Sequence, residues 1–352
     1  MEPYRMTLWA GLAIGLAFGI VARGTAFCLL SGLRGWWVTG ERARIRAFGL
    51  ALAVAILASQ ALDLAGLVDL RASLYARTAF APALILLGGA LFGYGMVLAN
   101  GCGARALVLL AGGNLRSFVV LACLGVAAYA TLSGVIAPLR LAAAARGAVA
   151  SPPDLAAALA AWGVGEAAAR LWLAALLAVP LAALALAGAA RRDAGPLAGG
   201  AVVGLLVAAG WAATGVLGAD DFEPAPLASL TFVAPVGETI QYAMLATGMR
   251  PSFGVAVVAG VFLGALVAAL ASGTARLEGF SSPRAMLRAM AGGALMGAGG
   301  ALALGCSVGQ GLTGLSTLAP ASIVAAAGIL AGAWAGLRGP LRVVRPAVAE
   351  RV

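Results

Sequence analysis

The chain has 352 residues, 62% hydrophobic, 10% charged and including 50 glycines, whereas soluble domains carry roughly 25% charge. That is too little charge to cover a water-exposed surface of this size, so the composition excludes a soluble protein and specifies an all-α polytopic membrane protein. The formal charge is +10, histidine is absent and every basic residue is arginine, which excludes histidine bases and metal ligands, Schiff-base lysines and P-loop ATPase chemistry.

A membrane span needs about 20 apolar residues. In chain order, nine segments qualify: 7–31, 48–68, 79–100, 117–137, 168–190, 199–217, 252–272, 286–304 and 320–338. No small-residue cleavage site follows the first run before Arg23, so it reads as a retained span and not a signal peptide. Segments 102–112 and 306–318 are too short or broken to cross, and 229–246 carries Glu238 and Gln241 inside it; these read as short re-entrant pieces. Segment 153–163 reads as an interfacial or extramembrane helix.

The arginines mark topology, having no basic domain or aromatic interleaving that would fit nucleic acid. Arg34, Arg42, Arg44 and Arg46, then Arg191 and Arg192, then Arg276, Arg284 and Arg288, then Arg338, Arg342, Arg345 and Arg351 all face the cytoplasm if the N-terminus lies outside. The acidic 220–223 stretch then falls outside, and Arg140 and Arg146 are the outward-facing exceptions.

Residues 88–103, GGALFGYGMVLANGCG, and 292–307, GGALMGAGGALALGCS, match at ten of sixteen positions at an offset of 204. Neighbouring spans keep that offset, defining a first unit over 7–137, a linking helix over 168–190 and a second unit over 199–338. Five spans separate equivalent points, so the second unit is expected upside down, the inverted repeat common in transporters.

Each repeated segment ends in Gly-Cys followed by a short helix. Gly101 and Gly305 are expected to let the backbone leave helical geometry. Irregular backbone at membrane depth is tolerated where it is buried or lines a cavity, and the short helices' free N–H groups suit an anion. The thiols of Cys102 and Cys306 at these turns point to a soft, sulfur-bearing anion. Cys28, flanked by Arg23 and Arg34, extends the line, whereas Cys123 has plain apolar neighbours and reads as packing. Asn100 is placed to cap or orient the first break, and Arg105 to attract an anion on the cytoplasmic side. Gln310 and Thr313 either line the path or only hydrogen-bond across helices. No CxxC pair is present, so neither a disulfide framework nor a clustered metal site is indicated, and nothing requires a cofactor.

At RGTAFCLLSGLRG (23–35), GGALFGYGMVLANGCGARAL (88–107) and GGALMGAGGALALGCSVGQGLTGLSTL (292–318), the chain resembles the YeeE/YedE family of bacterial inner-membrane sulfur transport proteins. Arg105 stands where that family often has glycine. The resemblance implies nine spans with re-entrant helices, an hourglass interior, and thiosulfate passed between thiols at Cys28, Cys102 and Cys306, with Cys102 the most critical. It also allows a cytosolic TusA-like sulfur carrier as partner. The alternatives are a selenium species or another small solute as cargo, or a membrane sulfur-transfer enzyme working through a persulfide.

Overall fold

A computed structural model describes residues 3–163, 165–188, 193–219, 225–280 and 282–343. The markers Arg191, Arg192, Arg345 and Arg351 and the 220–223 acidic stretch lie outside the described residues. The fold is all-α. Its long helices are α1 (Pro3–Thr25), α3 (Ala43–Leu64), α4 (Pro82–Ala99), α6 (Leu115–Leu132), α9 (Glu166–Leu186), α10 (Ala194–Gly215), α12 (Phe253–Ala271), α13 (Pro283–Leu302) and α14 (Pro320–Leu337). Short helices fill the gaps: α2 (Leu29–Arg34), α5 (Gly103–Ala111), α7 (Ala137–Arg146), α8 (Leu155–Ala160) and α11 (Val233–Leu245), with a π-helical turn over Gly309–Gly314. The strand pair Ala79–Phe80 with Val149–Ala150 ties two loops together.

Eight stretches of the described residues are long and apolar enough to cross a membrane. The ninth expected span, α13, does not reach that apolarity because Arg284 and Arg288 occupy its first two turns. It nevertheless packs at the centre of the bundle, along α4 and α6. The helix starts are written locally: Asn114, Ser252 and Ser282 accept the backbone N–H three residues on, and Pro82, Pro283 and Pro320 sit in the first turn, where no donor is lost. The first span is shorter than its apolar run, because the helix stops at Thr25 and restarts at Leu29.

Glycine sets the packing. On α1, Gly15 and Gly19 lie against the carbonyls of Val257 and Val261 of α12, and Gly260 and Gly264 lie against those of Leu12 and Leu16. Gly200 and Gly204 of α10 meet Ala47 and Ala51 of α3 in the same way, as do Gly89 and Gly93 of α4 with Ala325 and Ile329 of α14, and Gly293 and Gly297 of α13 with Val120 and Leu124 of α6. In each pair the residue numbers rise together, so the helices run parallel. The exception is central. α4 and α13 cross antiparallel, Gly88 on Gly299 and Gly95 on Gly292. With no hydrophobic drive between helices in lipid, such close backbone approach supplies the dispersion contacts that hold them.

The ends of the bundle differ. At one end Arg23 donates to Thr274, Asn114 to Glu278, Arg116 to the Gly279 carbonyl and Arg46 to the Gly188 carbonyl. At the other end Arg170 is buried and paired with Asp63, Asp154 and Glu166, and Arg71 joins Asp154 and Glu166. This network fastens α9 to α3 and to the start of α8. Arg140 sits at this second end with its guanidinium on the Thr131 and Leu132 carbonyls, capping α6.

Candidate functional site

Three residues on regular L-side-chain backbone turn left-handed just before a cysteine: Ala26 (φ 51), Asn100 (φ 63) and Leu304 (φ 60). Each lies two residues before its cysteine, Cys28, Cys102 and Cys306 respectively. Asn100 and Leu304 are the equivalent positions of the repeated segment. The left-handed step falls one residue before Gly101 and Gly305, where the backbone is expected to leave helical geometry. The glycines provide room instead: a Cβ at Gly101 would meet the Arg105 side chain at 3.3 Å, and one at Gly305 would meet Gln310 Cγ at 3.0 Å. A non-glycine residue in this region costs roughly 1–2 kcal/mol, and asparagine tolerates it best. Such outliers persist where the surroundings over-determine them.

Each break leaves its cysteine in extended or turn backbone ahead of a short helix. Cys28 precedes α2 and Cys102 precedes α5, both as extended capping residues. The Cys28 thiol faces the backbone N–H and hydroxyl of Ser31, and the Cys102 thiol faces the backbone N–H of Arg105. Cys306 repeats this relation, its sulfur accepting from the Gly309 N–H at 3.2 Å. All three thiols thus sit over the N–H three residues on, where the positive end of a helical segment favours negative charge. All three are buried.

The breaks also meet. The Cys28 and Cys102 side chains are neighbours, and the Ser307 hydroxyl lies near the Cys102 thiol. Ser307 is 1% exposed and makes no hydrogen bond of its own. Arg34 donates to Asn100 Oδ1 at 2.7 Å, and Arg105 donates to Ser31 Oγ at 3.1 Å, lacing α2 to the first break from both directions. A cavity of about 620 Å³ reaches Ser307 from Arg42 and Arg46, between apolar walls that include Leu33, Phe48 and Leu184.

Gln310 and Thr313 lie in the second break with most of their polar capacity committed. The Gln310 backbone N–H donates to Cys306 O at 2.7 Å and its amide nitrogen to Ala303 O at 2.6 Å, which leaves the buried amide oxygen unpartnered. Thr313 donates to Leu230 O at 2.7 Å. Arg23 is engaged elsewhere, holding Thr274 and filling the space over Gly112, at the opposite end of α5 from Cys102. Cys123 lies on α6 with its Cβ against Gly293, in the helix contact with α13. The sequence alone does not single out Ser31, Ser307 and Thr231. Ser307 follows Cys306 and Ser31 follows Cys28 by three, a capping spacing that carries the signal; Thr231, with its hydroxyl 4.0 Å from Cys306 Sγ, has no such marker.

Residues 24–335 match the family described as sulphur transport. The thiosulfate transporter TsuA of Escherichia coli is 26% identical over 329 residues, covering 86% of each chain. The protein of the same name from Spirochaeta thermophila is 25% identical over 354 aligned positions, covering 93% of this chain and 97% of that one. With the match spanning nearly all of an all-α membrane fold and including all three cysteine breaks, this chain belongs to the sulphur transport family, a family of transporters and not of enzymes.

Proposed function

We propose that the chain carries thiosulfate, or a closely similar small sulfur anion, inward across the bacterial inner membrane along Cys306, Cys102 and Cys28. The observation that carries this reading is the gathering of three buried thiols, each over the first free N–H groups of a short helix, around one centre. A dianion entering a membrane protein loses water and needs fixed donors in its place. Backbone N–H groups at the three breaks supply partial positive charge, and Arg105 supplies a full one beside Ser31. Thiols are weak donors matched to a soft sulfur terminus. Weak binding at successive sites permits exit as well as entry.

The same proposal orders the path. The anion meets Cys306 first, passes Ser307 to Cys102, and leaves past Cys28 and Arg105 toward the cavity mouth at Arg42 and Arg46. An N-terminus outside and a C-terminus inside follow from the arginines gathered at that end. The inverted repeat belongs to this reading and is supported by the antiparallel α4–α13 crossing, because Gly292 and Gly299 stand 204 residues after Gly88 and Gly95 and each meets the equivalent of the other, Gly292 on Gly95 and Gly299 on Gly88. Delivery to a cytosolic TusA-like carrier completes it, drawing the anion inward by consuming it.

The test is uptake of sulfur-labelled thiosulfate by a strain lacking its own permease, with unlabelled thiosulfate, selenite and sulfate as competitors. Saturable uptake blocked by thiosulfate is expected. Uptake of labelled selenite without uptake of labelled thiosulfate would transfer the proposal to a selenium species, and uptake of neither would end it.

A further inference from the structure

The second break carries polar groups that the thiol path does not use. Tyr75 lies in the loop between α3 and α4, 6% exposed, its ring edge-on to Trp211 with centroids 6.2 Å apart. Its hydroxyl engages the Thr231 side chain. Thr231 in turn has its hydroxyl 4.0 Å from Cys306 Sγ. The two hydroxyls close over the start of the π-helical turn: a Cβ at Gly309 would fall on Thr231 Oγ1 and lie 3.5 Å from the Tyr75 hydroxyl. Gly309 is also the residue whose N–H meets the Cys306 sulfur. Glycine at this point lets the Thr231 and Tyr75 hydroxyls approach the backbone donor to the Cys306 thiol, where any side chain would displace Thr231. Thr231 is half-buried, whereas Tyr75 is 6% and Cys306 1% exposed. Burial pushes the Tyr75 phenol above its ordinary value, aided by the nearby Cys306, so it keeps its proton as a donor.

We propose that Tyr75 and Thr231 form an oxyanion station at Cys306, their hydroxyls binding the sulfonate oxygens while the thiol meets the terminal sulfur. This rests on the transport reading above and assigns its selectivity. Hydroxyls are hard donors that suit oxygen, the thiol is a soft one, and an anion with one end of each kind satisfies all three at once. Hydrogen bonds to a charged group are worth more than neutral ones, so the station acts on binding before the thiol relay acts on passage.

The experiment measures KM and maximal rate of thiosulfate uptake for wild type, Tyr75→Phe and Thr231→Val at matched membrane levels. Phenylalanine keeps the ring on Trp211, and valine keeps the shape of threonine, so two independent variants cover the failure of either to fold. Each is expected to raise KM roughly tenfold, the loss of one hydrogen bond to a charged group, with the maximal rate unchanged. Wild-type KM in both variants, or a fall in maximal rate at unchanged KM, overturns the station while leaving the transport reading intact. A wild-type chain that takes up no thiosulfate overturns both.

Discussion

At the scale of single residues, the left-handed turns at Ala26, Asn100 and Leu304 decide where the chain breaks ahead of its three buried cysteines. Ala26 ends a helical segment inside a run whose apolarity continues without interruption, which is why the 7–31 segment reads as one span from sequence alone, whereas Asn100 and Leu304 stand at the ends of the 79–100 and 286–304 runs. Glycine and proline punctuate visibly, but an alanine or leucine forced left-handed by its neighbours leaves no mark. The cysteines were legible because the repeat set two of them at equivalent turns. Their meeting with Ser31 and Ser307 was not, since nothing in the linear order says that α2 folds back onto the first break. Asn100 should be the most sensitive of the three, having both the tolerated conformation and the Arg34 hydrogen bond. Asn100→Ala is expected to lower stability by about 1–3 kcal/mol from the lost conformational tolerance and hydrogen bond. Thermal melting of the detergent-solubilised protein checks this, and an unchanged melting temperature would show the turn to be set by its surroundings alone.

At the scale of helices, parallel and antiparallel glycine contacts replace the large interlocking side chains of a soluble core. Gly332 of α14 presses on the Ala90 carbonyl of α4, and Gly297 of α13 on that of Leu124 of α6. Any side chain there must move a backbone. Gly332→Leu is expected to wedge α4 from α14 and cost at least about 1–3 kcal/mol, the usual range for overpacking. Gly49→Ala has open space around it and should leave stability within about 0.5 kcal/mol of wild type. Comparing folded protein recovered from membranes for the two variants tests the contrast directly; equal recovery would contradict it. The span positions were readable from apolar length, and the packing role of glycine from its repetition. Which helices pair was not, because the 3- and 4-residue spacings that allow close approach recur on nearly every span. Likewise α3 begins at Ala43, five residues before its apolar run, because Arg44 and Arg46 ride its first turns, where a long side chain carries its charge toward the interface and Arg46 donates to the Gly188 carbonyl.

At the scale of the whole molecule, two ends with different ionic chemistry bracket the thiol cluster. Arg170 and Asp154 are buried and, with Asp63, join α9 to α3 and α8 beside the apolar contact of Ala53 and Ile56 with Ala174 and Ala178. Arg170→Met should leave Asp63 without its arginine and Asp154 with Arg71 alone, at a cost of about 3–5 kcal/mol, far more than removing an exposed arginine such as Arg42. The melting temperatures of Arg170→Met and Arg42→Ala, taken side by side, decide this; equal values would mean the network contributes nothing net. Arg140, which breaks the charge asymmetry seen in the sequence, does so because it caps α6, a role that composition cannot reveal. The account as a whole rests on the thiols of Cys28, Cys102 and Cys306 being the path and that of Cys123 being packing. Thiosulfate uptake by wild type and by Cys28→Ala, Cys102→Ala, Cys306→Ala and Cys123→Ala, at equal membrane levels, measures that claim. Loss of roughly tenfold or more in the first three, deepest for Cys102→Ala, with Cys123→Ala near wild type, is the expected result. Normal uptake by Cys102→Ala, or damage confined to Cys123→Ala, would contradict it.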